Sequence, residues 1–295
     1  MSTNSRNSTR WLAVAALSIG SASPALAGSV TRPGDTMGGA LGAPIPPGVY
    51  FTNTTTYECR KAEPRNICVT LDVPIVAWST PRKILGARLE FAVSPIIPVQ
   101  LEQRGVFTSK GMFGMFGAAI LGWDLGEGWG VSYWFGGYTK GKSDVAYSSA
   151  NFNQRLGVSY TGDGWNLTVT AINGIQFDKV TNRPQVSPCP PPHVGKGCNP
   201  NFLNFDLTAT KRFGKWEVGP VGTISFDLNK PVPEYRKQKQ VQLGALVGYA
   251  FEKVTVQAML TTNVYQKNYG GKIISGSFRV IVPLGKPPLS HPIVQ

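Results

Sequence analysis

The feature that most narrows the fold is an alternation of apolar and polar residues that recurs, segment after segment, from residue 48 onward. Between 201 and 213, Leu203, Phe205, Leu207 and Ala209 fall on one side of an extended chain. Asn204, Asp206, Thr208 and Thr210 fall on the other, and the pattern restarts at Trp216 after Gly214 and Lys215. A period of two marks a strand with two unlike faces. One such strand fits any half-buried sheet. A chain made almost wholly of them, joined by connections that alternate short and long, fits an antiparallel barrel with lipid outside and polar groups inside.

Strands are expected near 48–57, 68–78, 84–102, 112–123, 129–138, 150–160, 165–177, 201–213, 216–227, 239–251, 254–265 and 273–283. Tight turns at 79–83, 124–128, 161–164, 214–215 and 252–253 alternate with longer loops at 58–67, 103–111, 139–149, 178–200, 228–238 and 266–272. This spacing predicts an up-and-down barrel of twelve strands, an even number with short turns at one end. Pro95 and Pro98 are read as irregularities in one long strand. A fourteen-strand barrel that draws on residues 28–47 is the alternative.

The N-terminus reads as a secretory signal over 1–27. Arg6 and Arg10 precede an apolar stretch at 11–20 and small residues ending Ala25-Leu26-Ala27. The apolar stretch is too short to span a bilayer. Residues 28–47 are rich in Gly and Pro without periodicity. They are expected either to stay in the periplasm or to tuck into the barrel, 48–284, as a partial plug. Residues 285–295 form a tail.

Eight aromatic residues flank the short turns: Trp78, Trp123, Trp129, Tyr160, Trp165, Phe213, Trp216 and Phe251. Indole and phenol rings favour the headgroup level, so these are expected to form a girdle at one membrane face. Leu85, Ala87, Leu89 and Phe91 are among the residues expected to face lipid. The polar partners Arg88, Glu90, Arg155, Asp206, Glu217, Gln242, Gln257 and Arg279 are expected to line the lumen, because a charge at mid-depth on the lipid face is costly. Such a lining either sets the preference of a pore or forms a mutually paired network that fills the interior.

The net charge of +13 falls to +11 without the signal's two arginines, and the long loops hold most of the excess. Basic loops fit attraction to lipopolysaccharide phosphates or steering of anionic solutes. Nucleic acid is not an expected partner of an exported chain with no basic arm. Cys59 and Cys68, like Cys189 and Cys198, are nine positions apart. In an oxidising compartment this spacing predicts two loop-stapling disulfides rather than a metal site. The only histidines, His193 and His291, lie in a loop and in the tail. No G-x-S-x-G, H-E-x-x-H or phosphate-binding loop occurs, so no catalytic residue, metal or cofactor is expected.

Several local motifs carry a family likeness: Pro46-Pro47-Gly48-Val49-Tyr50 at the first strand, Ile120-Leu121-Gly122-Trp123 before a turn, Gly219-Pro220-Val221-Gly222, the run Leu243-Gly244-Ala245-Leu246-Val247-Gly248-Tyr249, and Val280-Ile281-Val282-Pro283-Leu284 at the close. Over 46–284 the chain resembles the MetA-pathway of phenol degradation, or SphA-like, outer-membrane transporters. The resemblance implies passive uptake of small hydrophobic or aromatic compounds across the bacterial outer membrane, and no catalytic residues. One departure is that the last strand is followed by a tail with no terminal aromatic. The rival expectations are a structural or adhesion-type barrel that binds partners through its stapled loops, and a soluble periplasmic β protein.

Overall fold

The computed structural model describes residues 29–182 and 188–284; the expected signal peptide, the tail and His291 lie outside the described residues. The chain is almost entirely sheet. Its strands are β1 (Gly48–Arg60), β2 (Ile67–Ile84), β3 (Ala87–Ser94), β4 (Pro98–Gln103), β5 (Phe107–Met112), β6 (Phe116–Gly126), β7 (Trp129–Tyr138), β8 (Asn151–Tyr160), β9 (Trp165–Gln176), β10 (Val180–Thr181), β11 (Gly197–Cys198), β12 (Phe202–Phe213), β13 (Trp216–Asp227), β14 (Lys239–Ala250), β15 (Thr255–Lys267) and β16 (Ile273–Leu284).

Each wall strand pairs antiparallel with its neighbours, and β1 pairs with β2 on one edge and with β16 on the other, which closes the sheet. Closure through β1 and β16 is the condition for a sheet to cross hydrocarbon. Among the described wall strands, only the β4–β5 hairpin at the outer rim ends on a strand, β5, that pairs on one side. β3 and β4 both pair with β2 and form two halves of one wall position. β6 pairs with β3, and β5 with β4, so they form the two halves of the next position. β10 and β11 make a small ladder in an outer loop. The wall therefore has twelve positions, and residues 29–47, the described part of the segment, contribute no strand to it.

Two boundaries differ from expectation. The first turn is at Leu85 and Gly86, both at positive φ, and not at 79–83. The strand carries on past Pro81 through a bulge between Ser79 and Lys83. There the Thr80 hydroxyl donates to the Leu89 carbonyl and accepts from the Arg82 amide, standing in for ladder bonds that a proline interrupts. Leu85 thus lies in the turn and Ala87 is fully buried, so neither belongs to the lipid-facing set. The second difference is the expected loop at 103–111, where β4 and β5 extend the wall as a hairpin.

The ladder has a short gap between β12 and β13 at Ala209–Thr210, opposite Gly219–Pro220, and a longer one in the outer half of β2. The ladder between β2 and its neighbour stops at Val76–Val93 and resumes at Leu71–Val99, leaving residues 72–75 of β2 unpaired on that side. Pro74, Pro95 and Pro98 cluster at this gap, and a proline ring has no N–H to give to a ladder. Both cysteine pairs are disulfide-bonded: Cys59–Cys68 joins the outer ends of β1 and β2, and Cys189–Cys198 closes the loop before β12. On the lipid side Leu260 sits mid-strand and well exposed, paired across to Ala245 and Gly276. Leu260→Arg is expected to destabilise the barrel by about 2–4 kcal/mol in reversible unfolding from lipid vesicles.

Candidate functional site: a lumen filled by the N-terminal segment

Residues 29–47 run along the inside of the barrel. The segment starts among the outer-end groups of β8 and β12, where Asn153 donates to the Thr31 hydroxyl (3.0 Å) and Asn204 to the Ser29 hydroxyl (2.9 Å). It descends to the short-turn end, where the Ile45 amide donates to the Glu90 carboxylate (3.0 Å) and the Ser79 hydroxyl donates to the Ile45 carbonyl (2.8 Å). It makes no helix or strand; Asp35, Met37, Gly39 and Ala43 close turns on carbonyls three residues back, and other backbone groups look outward for partners. The wall's inward polar side chains supply them.

Asp206 is the centre of this arrangement. Its carboxylate accepts from the Gly34 amide (2.8 Å), the Thr36 amide (2.9 Å), the Thr36 hydroxyl (2.8 Å) and the Thr223 hydroxyl (2.8 Å). Four donors satisfy a buried carboxylate that has no cation in contact with it among the described residues. Opposite, Arg279 donates to the Met37 carbonyl (2.5 Å), the Asp35 carbonyl (2.9 Å) and the Thr54 hydroxyl (2.9 Å). Gln257 donates to the Gly38 carbonyl and to Glu217, both at 3.1 Å, and Glu217 also accepts from Thr210 (2.5 Å). Met37 fills an apolar socket of Val221, Leu246 and Met259.

Lower down, backbone lies on backbone. A Cβ on Gly130 would stand 2.8 Å from the Ala43 Cα, and one on Gly157 would stand 2.9 Å from the Gly42 nitrogen. Only glycine lets the segment lie this close to β7 and β8. The outer end is covered by loop side chains: Tyr147, Tyr235 and Tyr269 are all buried. Burial pushes the phenol pKa of each upward, so all three stay neutral. Arg60 lies 5.1 Å over the Tyr269 ring and Tyr235 donates to Asp227 (2.9 Å).

Of the residues expected to line the lumen, Glu90, Arg155, Asp206, Gln257 and Arg279 meet the segment directly. Glu217 reaches it through Gln257. Gln242 bonds instead to Gln240 (3.1 Å) and Thr261 (3.3 Å). Arg88 is half-buried and its Nε has no hydrogen-bond partner. Seven of the eight aromatics lie beside short turns, whereas Trp78 is seven residues from the turn at Leu85 and is paired with Val49 near the start of β1. Trp78 stacks on Phe91, Trp129 meets Tyr160 at a tilt, Trp216 meets Tyr249 edge-on, and Trp123 donates to the Leu85 carbonyl (3.1 Å). His193 lies in an outer loop 3.7 Å from Glu234.

One functional surface escaped sequence reasoning. An apolar strip lines the inner wall from β2 to β7: Leu71, Val73, Ile75, Ala92, Phe116, Ile120 and Trp134 pack into one cluster with Ile97, Tyr138, Ile172 and Phe202, and Val30 of the segment is inserted in it. The outer part of β2 is inverted, whereas Val76 and Trp78 further along face lipid. In the inverted part Leu71, Val73 and Ile75 face in while Asp72 faces out, accepting from Asn53 (2.9 Å) and Thr55 (2.6 Å). The expectation that every mid-strand charge points inward fails at Asp72, where these two donors meet the carboxylate locally. The signal was present in the odd-numbered run Val69, Leu71, Val73, Ile75, whose alternate positions hold Thr70, Asp72 and Pro74. The strip ends at the gap in the ladder. On the lipid side below that gap lies an apolar groove of about 540 Å³, lined by Val76, Trp78, Phe91, Val93, Ala119 and Phe135, with Gly117 at its floor.

Asp206→Ala is expected to leave the segment's donors at Gly34 and Thr36 unmet. Amide exchange at 34–36 should accelerate by about 10–100-fold, from the usual worth of bonds to a charged acceptor. Mass-spectrometric exchange should show the wall strands still protected.

Comparison with known proteins agrees with this architecture. The family described as "Putative MetA-pathway of phenol degradation" matches residues 31–279. An outer membrane channel from Pseudomonas putida F1 superposes with a TM-score of 0.59 at 11% identity, covering 86% of this chain and 100% of that one. The NanC porin gives 0.49 at 9% identity, over 80% of this chain and 100% of its own. The translocator domain of the autotransporter NalP from Neisseria meningitidis gives 0.44 at 10% identity, over 80% and 88%. Comparison with curated protein sequences gives no match. With its closed wall, the molecule is a β-barrel of the bacterial outer membrane.

Proposed function

The chain belongs to the family of the MetA-pathway of phenol degradation, and from that premise we propose that it is a passive facilitator for small hydrophobic or aromatic compounds. The apolar strip on the inner wall carries this reading. A pore for hydrophilic solutes keeps a water-filled, polar interior. In this lumen the polar half is occupied by the N-terminal segment, and the half next to it offers aromatic and aliphatic surface. Burying such surface is favourable by roughly 25 cal/mol per Å², so a nonpolar solute gains from entering it once the segment yields.

The exit follows from the same geometry. The strip leads to the stretch of β2 that lacks ladder bonds, and an apolar groove lies on the lipid side below it. Parting the wall at that stretch breaks fewer hydrogen bonds than anywhere else along β2. A nonpolar solute then passes sideways into the membrane without crossing water. The stapled outer loops and their basic residues face lipopolysaccharide, whose phosphates they attract.

Uptake of radiolabelled toluene into cells that lack the chromosomal copy tests the reading. Plasmid-borne protein should restore the initial rate, and Trp134→Asp, which puts a charge on the strip, should lower it severalfold with the barrel still folded. An unchanged rate on deletion and complementation would refute a transport role and favour the structural or adhesion reading.

A further inference from the structure

The N-terminal segment presents two side chains to one corner of the lumen. Val30 packs among Phe116, Tyr138, Ile172 and Phe202. The Asp35 carboxylate stands 3.6 Å from Arg155 Nη1. Arg155 is almost fully buried and rigidly held. Its Nε donates to Asn153 (2.9 Å), its Nη2 approaches the Tyr138 hydroxyl (3.5 Å), and its guanidinium lies 4.7 Å over the Phe116 ring and 5.5 Å over the Trp134 ring.

Between the aromatic plates and the arginine, the barrel thus offers an apolar pocket ending in one fixed cation. Among the described residues, only Asp35 of the segment gives that cation a carboxylate; the wall groups bonded to it, Asn153 and Tyr138, are neutral. An apolar group and a carboxylate, presented together, have the chemistry of an aromatic carboxylic acid.

We infer that this corner is a binding site for aromatic carboxylates, with Val30 and Asp35 of the segment occupying it in the resting state. The inference rests on the facilitator reading and narrows its substrate class. The solute's carboxylate takes the place of Asp35 on Arg155, and its ring takes the place of Val30 against Phe116 and Tyr138. The solute therefore competes with the segment for the same groups. Binding weakens the segment's hold at its outer end, which couples occupancy to opening. Apparent affinity is reduced by the fraction of molecules in which the corner is already filled.

Calorimetric titration of the full-length purified protein with benzoate, and with benzyl alcohol as the neutral ring of similar size, tests this. Asp35→Asn removes the competing charge and keeps the shape. It should tighten benzoate binding by about tenfold and leave benzyl alcohol unchanged. Arg155→Gln should weaken benzoate by about tenfold or more, again sparing benzyl alcohol, and Arg155→Lys should recover part of the loss. Adding Arg155→Gln to Asp35→Asn should abolish the gain, because the two side chains act on one another. Migration on unboiled gels reports whether each variant is folded, and Asp35→Asn decides the matter if the arginine variants are not. Benzoate binding that ignores both Asp35→Asn and Arg155→Gln overturns the inference. Toluene uptake is measured separately, so a carboxylate site that fails while toluene still enters leaves the facilitator reading standing.

Discussion

The inner face is buried, so most of the polar groups on it are bonded within the protein; a few atoms, Thr170 Oγ1 and Asn204 Oδ1 among them, have no hydrogen-bond partner among the described residues. A buried group without one costs several kcal/mol, and a buried charge costs more. Asp206 shows how that cost is avoided. The carboxylate belongs to the wall, yet three of its four donors belong to the N-terminal segment. Arg279 mirrors it with two carbonyls from the same segment. Neither wall nor segment is satisfied alone. The polar face that makes the barrel's alternation possible is also what requires something to fill it.

That dependence explains the composition of residues 29–47. A helix or hairpin would close its hydrogen bonds on itself and leave the wall groups unmet. A Gly- and Pro-rich stretch closes only single turns on itself, leaves other backbone groups to bond sideways, and is thin enough to lie against Gly130 and Gly157. The contacts are many and individually modest, typically 0.5–1.5 kcal/mol for neutral pairs and more for charged ones. Such a segment is held firmly as a whole while each bond remains exchangeable for one with a solute or water.

The fold was largely legible in the sequence because strand alternation and turn length are local signals. Strands from Asn151 to Leu284 fall close to where period two places them, and the turn at Gly214 and Lys215 is where glycine at positive φ allows it. Pro81 misled because a proline next to charges reads as a turn, whereas Thr80 supplies the missing bonds and the strand continues. The lumen was half legible. Period two assigns Asp206 and Arg279 to the inner face, but their partners lie more than 160 residues away in sequence, in a segment with no periodicity at all. Nothing local links Thr36 to Asp206.

The inner apolar strip was hidden for another reason. Alternation says that a strand has two faces and does not say which one meets lipid. On most strands the apolar face is the outer one, and carrying that rule into the outer part of β2 reverses it. Once Leu71, Val73 and Ile75 are turned inward, Asp72 is turned outward, and the wall contains one stretch whose polarity opposes that of its neighbours. That stretch also loses its ladder over residues 72–75 and carries a proline there. A stretch that turns Asp72 rather than an apolar residue to its outer face and lacks ladder bonds along one edge is less costly to displace than a fully paired one. The inversion that defeats pattern reading and the weakness that a nonpolar solute would use are the same property of β2, seen once from the sequence and once from the sheet.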